Sequence, residues 1–282
     1  MENLKTLKMN LLLLANRLGI ITAPTHVAGY DFDFALHFDC THPYRLERET
    51  SAVLRIGAID DYAREYEENL AAGLRLINSP AQHELASELA LWYPLLADLT
   101  PRTICRDDFP AAEEVEAEFG WPIFLKGSRQ TSKHNPDLAI IRNSEHYAQA
   151  MEAYKRDRIL HWQKVAIREF IELQRVTGEV AGKVRPSMEF RTFWWQGQCV
   201  GAGQYWSQVP TYQAEDLDAG IALAGVAAAR LQVPFLVVDV AKTADGRWIV
   251  IECNDAQESG YTAIPPNLLW RRILESPPAI SG

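Results

Sequence analysis

Four cysteines, Cys40, Cys105, Cys199 and Cys253, are few for 282 residues, and no two of them stand in C-x-x-C spacing. That scarcity speaks against a disulfide framework and a cysteine zinc site, so the thiols are expected to be reduced and structural. The seven histidines contain no H-x-x-x-H or H-E-x-x-H pair, which leaves a zinc hydrolase without support. Basic charge is also short. Twenty-eight Lys and Arg stand against 37 Asp and Glu, a formal net charge of -9, and no basic cluster offsets it, so no nucleic-acid partner is expected. Long apolar runs are missing too: Leu11 to Ala15 is bounded by Asn10 and Asn16, far below the ~20 residues of a membrane span. No small-residue cleavage site follows that run, so a cytoplasmic location and no membrane partner are expected. Neither G-x-x-x-x-G-K-[ST] nor a G-x-G-x-x-G after a strand is present, which removes the P-loop and dinucleotide readings.

What is present is a well-mixed globular chain, 48% hydrophobic and 23% charged, with 15 prolines and 16 glycines. Its length suits about two folding units, or one larger unit with lobes. The expected division is a small leading domain over 1–99, one α+β lobe over 100–185 and a second over 186–282. Tyr62, Tyr66, Leu70 and Leu74 recur at intervals of four and predict a helix over 60–76. Asn78, Ser79 and Pro80 predict the cap and first turn of a helix running to about Tyr93. Short helices are expected over 113–119 and, with a Ser cap, over 144–157. Strands are expected ending at Lys126 and over "KVAIREFIEL", and a loop over 174–186. Two hairpins separated by a helix over 219–231 complete the pattern, with Gly201 and Gly203 inside the first of them.

The segment "FLVVDVAKTADGRWIVIECND" carries the strongest local inference. Asp245-Gly246 predicts a two-residue hairpin loop, which would set Ala244 against Arg247 and Asp239 opposite Glu252, with Asn254 on the same face. Leu236, Val238, Val240, Ile249, Ile251 and Cys253 would form the core-facing side. Carboxylates with Cβ atoms roughly 5 Å apart repel by about 3 kcal/mol at an effective dielectric near 20, so a cation or a shared proton must offset them. Two carboxylates and an amide suit Mg²⁺ completed by phosphate and water oxygens. On that view Glu252→Gln relieves repulsion and leaves the ligand-free fold nearly intact. The spacing alone leaves a second reading open, in which the acids lie at a wet sheet edge and point apart.

Over roughly residues 78–261 the order of pieces resembles the ATP-grasp superfamily. Lys126 ends "PIFLK" before the polar loop "GSRQTSKHN", "IREFIEL" resembles the hinge strand, and Asp239 with the E-x-N of Glu252 and Asn254 closes the set. The resemblance implies an α+β ATP-grasp fold, two lobes clamping Mg-ATP behind a small α/β domain. It places Lys126 on the nucleotide phosphates, adenine against Glu169, Phe170 and Ile171, Glu172 at the ribose, and Mg²⁺ on Asp239, Glu252 and Asn254. Lys242 resembles the lysine that replaces a phosphate-site arginine in one clade, a role that requires a twist or bulge near the turn. Arg102 is the nearest basic residue to the family's first nucleotide-binding lysine. Lys133, with Arg129, is a flap residue expected to close over the terminal phosphate, and His134 stands beside it. Arg191 would touch phosphate or acyl-phosphate, or else form an ion pair with Glu189 along its own strand. The implied activity is ATP- and Mg²⁺-dependent ligation of a small-molecule or peptide carboxylate to an amine or thiol through an acyl-phosphate, with "NDAQESGYTA" and Gly260 beside the acceptor. The same clade includes an ATP-binding assembly factor, so a protein partner without ligase turnover is the alternative.

Overall fold

Three β-sheets organise the computed structural model, which describes residues 10–23, 32–129 and 136–276. The first sheet holds β1 (Asn10–Leu14), β2 (Leu18–Thr22), β3 (Cys40–Thr41), β4 (Thr50–Arg55) and β5 (Leu74–Leu76) in the order β3-β1-β2-β4-β5. β4 and β5 run parallel because α1 (Tyr62–Ala71) returns the chain between them. The helix expected to reach Leu76 therefore stops early. Gly73 at φ 86° ends it, and Leu74 and Leu76 turn inward from a strand.

Ser79 and Gln82 exchange side-chain and backbone hydrogen bonds over the start of α2 (Pro80–Ser87), as the cap signal predicts. The single helix expected to run to Tyr93 is instead two, α2 and α3 (Leu89–Leu96). They break at Glu88, whose side chain caps α3, and the Leu89 N–H leaves the helix to donate to the Ser128 carbonyl at 3.0 Å.

The second sheet is built from β6 (Thr103–Arg106), β7 (Ile123–Gly127), β8 (Ile140–Ile141) and β9 (Val165–Glu169), in the order β6-β9-β7-β8. Val115 from α4 (Ala112–Phe119), Leu138 from α5 (Pro136–Ala139), and Tyr147, Ala150 and Tyr154 from α6 (Ser144–Arg156) pack on Ile123, Leu125 and Ile167. The cap of α6 is Asn143 rather than Ser144, since its Oδ1 accepts the His146 N–H.

The third sheet has the order β11-β10-β12-β13, with β10 (Glu189–Trp195), β11 (Gln198–Gln204), β12 (Phe235–Lys242) and β13 (Trp248–Asp255). Both its faces are covered. On one, Leu236, Val238 and Val240 meet Ala224 and Ala227 of α7 (Leu217–Leu231) and Leu89, Trp92 and Leu96 of α3. On the other, Phe193, Phe235 and Val237 meet Leu14, Ile20 and Val53 of the first sheet and Leu269, Trp270 and Ile273 of α8 (Pro266–Glu275). Burying such side chains contributes about 1.5–3 kcal/mol each, so the centre of β12 is the most firmly held strand of the fold. A charge placed there needs a partner. Asp239 is that charge. The architecture is the α+β ATP-grasp fold that the resemblance implies, and no helix among the described residues is long and apolar enough to cross a membrane.

Candidate functional site

Asp239 does pair with Glu252 across β12 and β13, by a route different from the expected one. The connecting loop has three residues, Ala244 to Gly246: Thr243 N–H donates to Arg247 O at 2.8 Å, Gly246 N–H donates to Thr243 O, and Gly246 takes φ 89°. That loop alone would slide the register by one and set Asp239 against Ile251. A β-bulge restores it, since Val240 pairs with Val250 and Asp239 with Glu252, leaving Ile251 as the extra residue. The bulge also inverts the faces between its two sides. Val250 and Cys253 both enter the core, whereas Ile249 and Ile251, expected there, line a cleft instead.

Each acid of the pair holds a basic partner. Arg191 on β10, paired in register with Asp239, donates from Nε to Oδ1 at 2.8 Å and from Nη2 to Oδ2 at 2.7 Å. Its Nη1 donates to the Gly260 carbonyl at 3.0 Å, and its guanidinium lies 5.0 Å from the Tyr205 ring centre. Lys126, at the end of β7, donates to Glu252 Oε1. Asp239 is 0% exposed and Lys126 3%, so two plus and two minus charges sit together away from water. The repulsion expected to demand a metal is thus already offset by Lys126 and Arg191. Burial disfavours the charged Arg191, yet the Asp239 charge and its paired bonds outweigh that and hold its pKa above the ordinary arginine value. Asn254, two residues past Glu252, opens on the adjoining cavity with Arg191. The donor set of two carboxylates and one amide, all oxygen, fits Mg²⁺. No group of three or more His, Cys, Asp or Glu able to hold a metal occurs among the described residues, so Asn254 is needed to complete such a set.

Behind the charged group lies a cleft of about 230 Å³, lined by Phe124, Ile140, Ile249, Ile251 and the hinge from Arg168 to Leu173. Glu169, Phe170, Ile171 and Glu172 all border it, as the hinge reading expects. The Glu172 carbonyl accepts Ala244 N–H at 2.8 Å, while its carboxylate lies 3.1 Å from Arg175 at the rim. Two basic candidates are not brought to this cleft. Lys242 leaves on the opposite face of β12, where Nζ donates to Asp216 at 2.6 Å and lies 5.8 Å from the Trp248 ring centre. The bulge that its expected role required does form, but it displaces β13 and leaves Lys242 beside α7. Arg102 lies on the surface between Glu118 and Glu169. Lys133 and His134 fall outside the described residues.

Arg168 is the site residue that pattern reading missed. It is buried, donates at 2.8 Å to the carbonyl of the bulge residue Ile251, and binds the hydroxyls of Thr100 and Thr103 at 2.6 and 3.1 Å. It thereby pins β13 to β9 where the ladder is interrupted. Burial pushes its pKa down to about 10, opposed mainly by the charge of Glu252. The signal was a lone arginine within "VAIRE", a run otherwise apolar up to its last residue.

A second cavity, of about 430 Å³, opens on Arg191 and Asn254 and is walled by Ile59, Asp60, His83, Arg129, Trp162 and Glu258. Arg55 at the end of β4 fixes one wall, its Nη1 donating to the carbonyls of Ala256, Gln257 and Ser259 at 2.7–2.9 Å. Burial raises the Glu258 pKa to about 7, against the favourable charge of His83 and with the adverse charge of Asp255. Because the folded value lies above the unfolded one, this group stabilises fully below the unfolded value, near 4.5. That contribution is lost as pH rises through about 7. Glu258→Gln is therefore expected to gain stability relative to the parent between about pH 5 and pH 8, by up to about 3 kcal/mol. Urea unfolding at the two pH values measures it; parallel curves for the two proteins would remove the burial argument.

A family model described as an ATP-grasp domain, family 3 of its clade, matches residues 104–273. Similar solved structures include the RimK domain protein ATP-grasp from Sphaerobacter thermophilus, with TM-score 0.51 and 21% identity over 73% of this chain and 72% of that one. The D-alanine–D-alanine ligase from Bacillus anthracis complexed with ATP gives TM-score 0.54 and 15% identity over 80% and 77%. The ATP-grasp ligase PsnB complexed with minimal precursor, Mg and ADP gives 0.51 and 14% over 95% and 85%. At these identities the likeness is one of fold. Among curated proteins, none matches the chain in sequence.

Proposed function

The chain belongs to the ATP-grasp superfamily, and from that premise we propose that it is an ATP- and Mg²⁺-dependent ligase joining a carboxylate to an amine through an acyl-phosphate. One observation carries the reading: Asp239 and Glu252 face each other at the end of an apolar cleft, each held by a cation, Arg191 or Lys126. The nucleotide base fits the cleft wall of Phe170 and Ile171, with Glu172 at the rim for the ribose. Asp239, Glu252 and Asn254 would hold Mg²⁺, whose chemistry when bound is to bridge phosphate oxygens and neutralise their charge. Lys126 moves its hydrogen bond from Glu252 to a phosphate oxygen, which frees the carboxylate as a ligand. Arg191 orients Asp239 and sets positive charge beside the transferring phosphoryl group. The acceptor then attacks from the second cavity, which adjoins Arg191 and Asn254. No protein nucleophile is required.

The test is release of ADP and phosphate from ATP and Mg²⁺, screened against crossed pools of carboxylates, amino acids, small peptides and amines. The ligase reading expects release that depends on one carboxylate and one amine together. Release without an acyl acceptor, or no release in any pool beside a stable protein complex in pull-down, overturns it in favour of an ATP-binding assembly protein.

A further inference from the structure

The second cavity holds an acid that no step above employs. Glu258 lies on the turn after β13; its Oε1 accepts the Ile59 N–H at 3.0 Å and stands 3.9 Å from His83 Nε2. Its Oε2 takes no hydrogen bond from the described residues, and the side chain borders the cavity shared with Arg191 and Asn254. His83 is itself immobilised. Nδ1 bonds Asp255 Oδ2 at 3.0 Å, and the ring stacks on Tyr62 at 4.0 Å between centres and 3° between planes. Asp255, His83 and Glu258 thus form a row of acid, imidazole and acid, buried at one end and open to the cavity at the other. A purely structural row would close on its last carboxylate. This one leaves an oxygen facing about 430 Å³ of space beside the metal-site residues.

We propose that Glu258 is the receiving group for the acceptor substrate, an ammonium compound whose nitrogen it binds through Oε2 and whose proton it takes. The proposal rests on the ligase reading and assigns its second substrate site. Proton transfer to the Glu258 carboxylate leaves a neutral amine; its lone pair forms the C–N bond at the acyl carbon, and the C–O bond to phosphate breaks with the pair leaving on phosphate. The remaining excess N–H proton goes to the departing phosphate, so charge and atoms balance. A Glu258 poised near neutrality suits that exchange, because it is a strong enough base to accept the proton and is still ionised in part at about pH 7. The charged groups around it are His83 and Asp255 on the row, Asp60 and Arg129 across the cavity, and Arg191 at its floor. Trp162, 54% exposed at the rim, offers an apolar face to the body of the ligand.

Binding and turnover separate this proposal from the ligase reading. Protein loaded with Mg²⁺ and a non-hydrolysable ATP analogue is titrated with L-alanine, L-lysine, glycinamide and putrescine, and with N-acetylglycinamide as a neutral control. The expected result is that at least one cationic probe binds the parent, the neutral control does not, and Glu258→Gln weakens the cation at least tenfold. Glu258→Gln keeps the oxygen that accepts the Ile59 N–H, so retained stabilisation by Mg-ATP certifies its fold; Glu275→Gln on α8 serves as the distant control. Binding without ADP release in the crossed pools sinks the ligase reading and leaves the subsite standing. Amine-dependent ADP release with the same KM and kcat in parent and Glu258→Gln sinks the subsite and leaves the ligase standing. Equal behaviour of the two proteins across the panel, including no binding by either, overturns the proposal.

Discussion

Arg191→Met is expected to lower folding stability by roughly 3–5 kcal/mol, the largest effect of any single change at the site. Asp239 is fully buried in the middle of the third sheet, and both its oxygens rest on Arg191. Deleting the guanidinium leaves a carboxylate in the core without its counter-charge, and removes the Nη1 bond to Gly260 that anchors the turn behind β13. Arg191→Lys keeps a charge but loses the paired geometry, so its loss is expected to be smaller. Urea unfolding with and without Mg-ATP measures both. A Met variant within about 1 kcal/mol of the parent would show that Asp239 draws its stabilisation from elsewhere.

Glu252→Gln is the second large effect, and the structure revises what the bare spacing suggested for it. Two opposed acids predict relief when one is neutralised. Here Glu252 neutralises Lys126, which is almost wholly buried, and lies close enough to Arg168 to oppose its loss of charge. Its removal is therefore expected to cost the ligand-free protein about 1–3 kcal/mol. The nucleotide response should vanish as well. A ligand at about 100 times its dissociation constant stabilises by about 2.7 kcal/mol, and that increment, read as a thermal shift on adding Mg-ATP, is expected to be absent from the variant. An unchanged shift would remove Glu252 from the nucleotide site.

The contrast between these residues shows how far a sequence speaks for itself. Strand parity, hairpin closure and the E-x-N spacing were enough to place Asp239 opposite Glu252, because they depend only on backbone geometry. The path to that pairing was misjudged twice over: the loop has one residue more than Asp245-Gly246 suggests, and the bulge at Ile251 absorbs the difference. Bulges depend on tertiary support, here the Arg168 bond to the Ile251 carbonyl, and that contact joins residues 83 positions apart. For the same reason Arg191 could be placed on its strand face but not on Asp239, since the order of β10 and β12 is a matter of topology. Lys242 failed from the other direction. Its position beside the acid in sequence was suggestive, yet its bond to Asp216 turns it toward α7. The hinge, whose contacts to the nucleotide would run through consecutive residues, was readable from Glu169 to Glu172. The second cavity was not readable, because its walls come from all three sheets and their connections.

Arg55 grips three backbone carbonyls just beyond the proposed Mg²⁺ residues, while β1, β2 and β4 share a core with α8. The opening ninety-odd residues are in consequence no detachable cassette. Grafting a foreign leader onto residues 100–276 to alter specificity would strip the wall from the acceptor chamber, and any re-engineering has to carry that arginine and the carbonyls it clasps across as one inheritance.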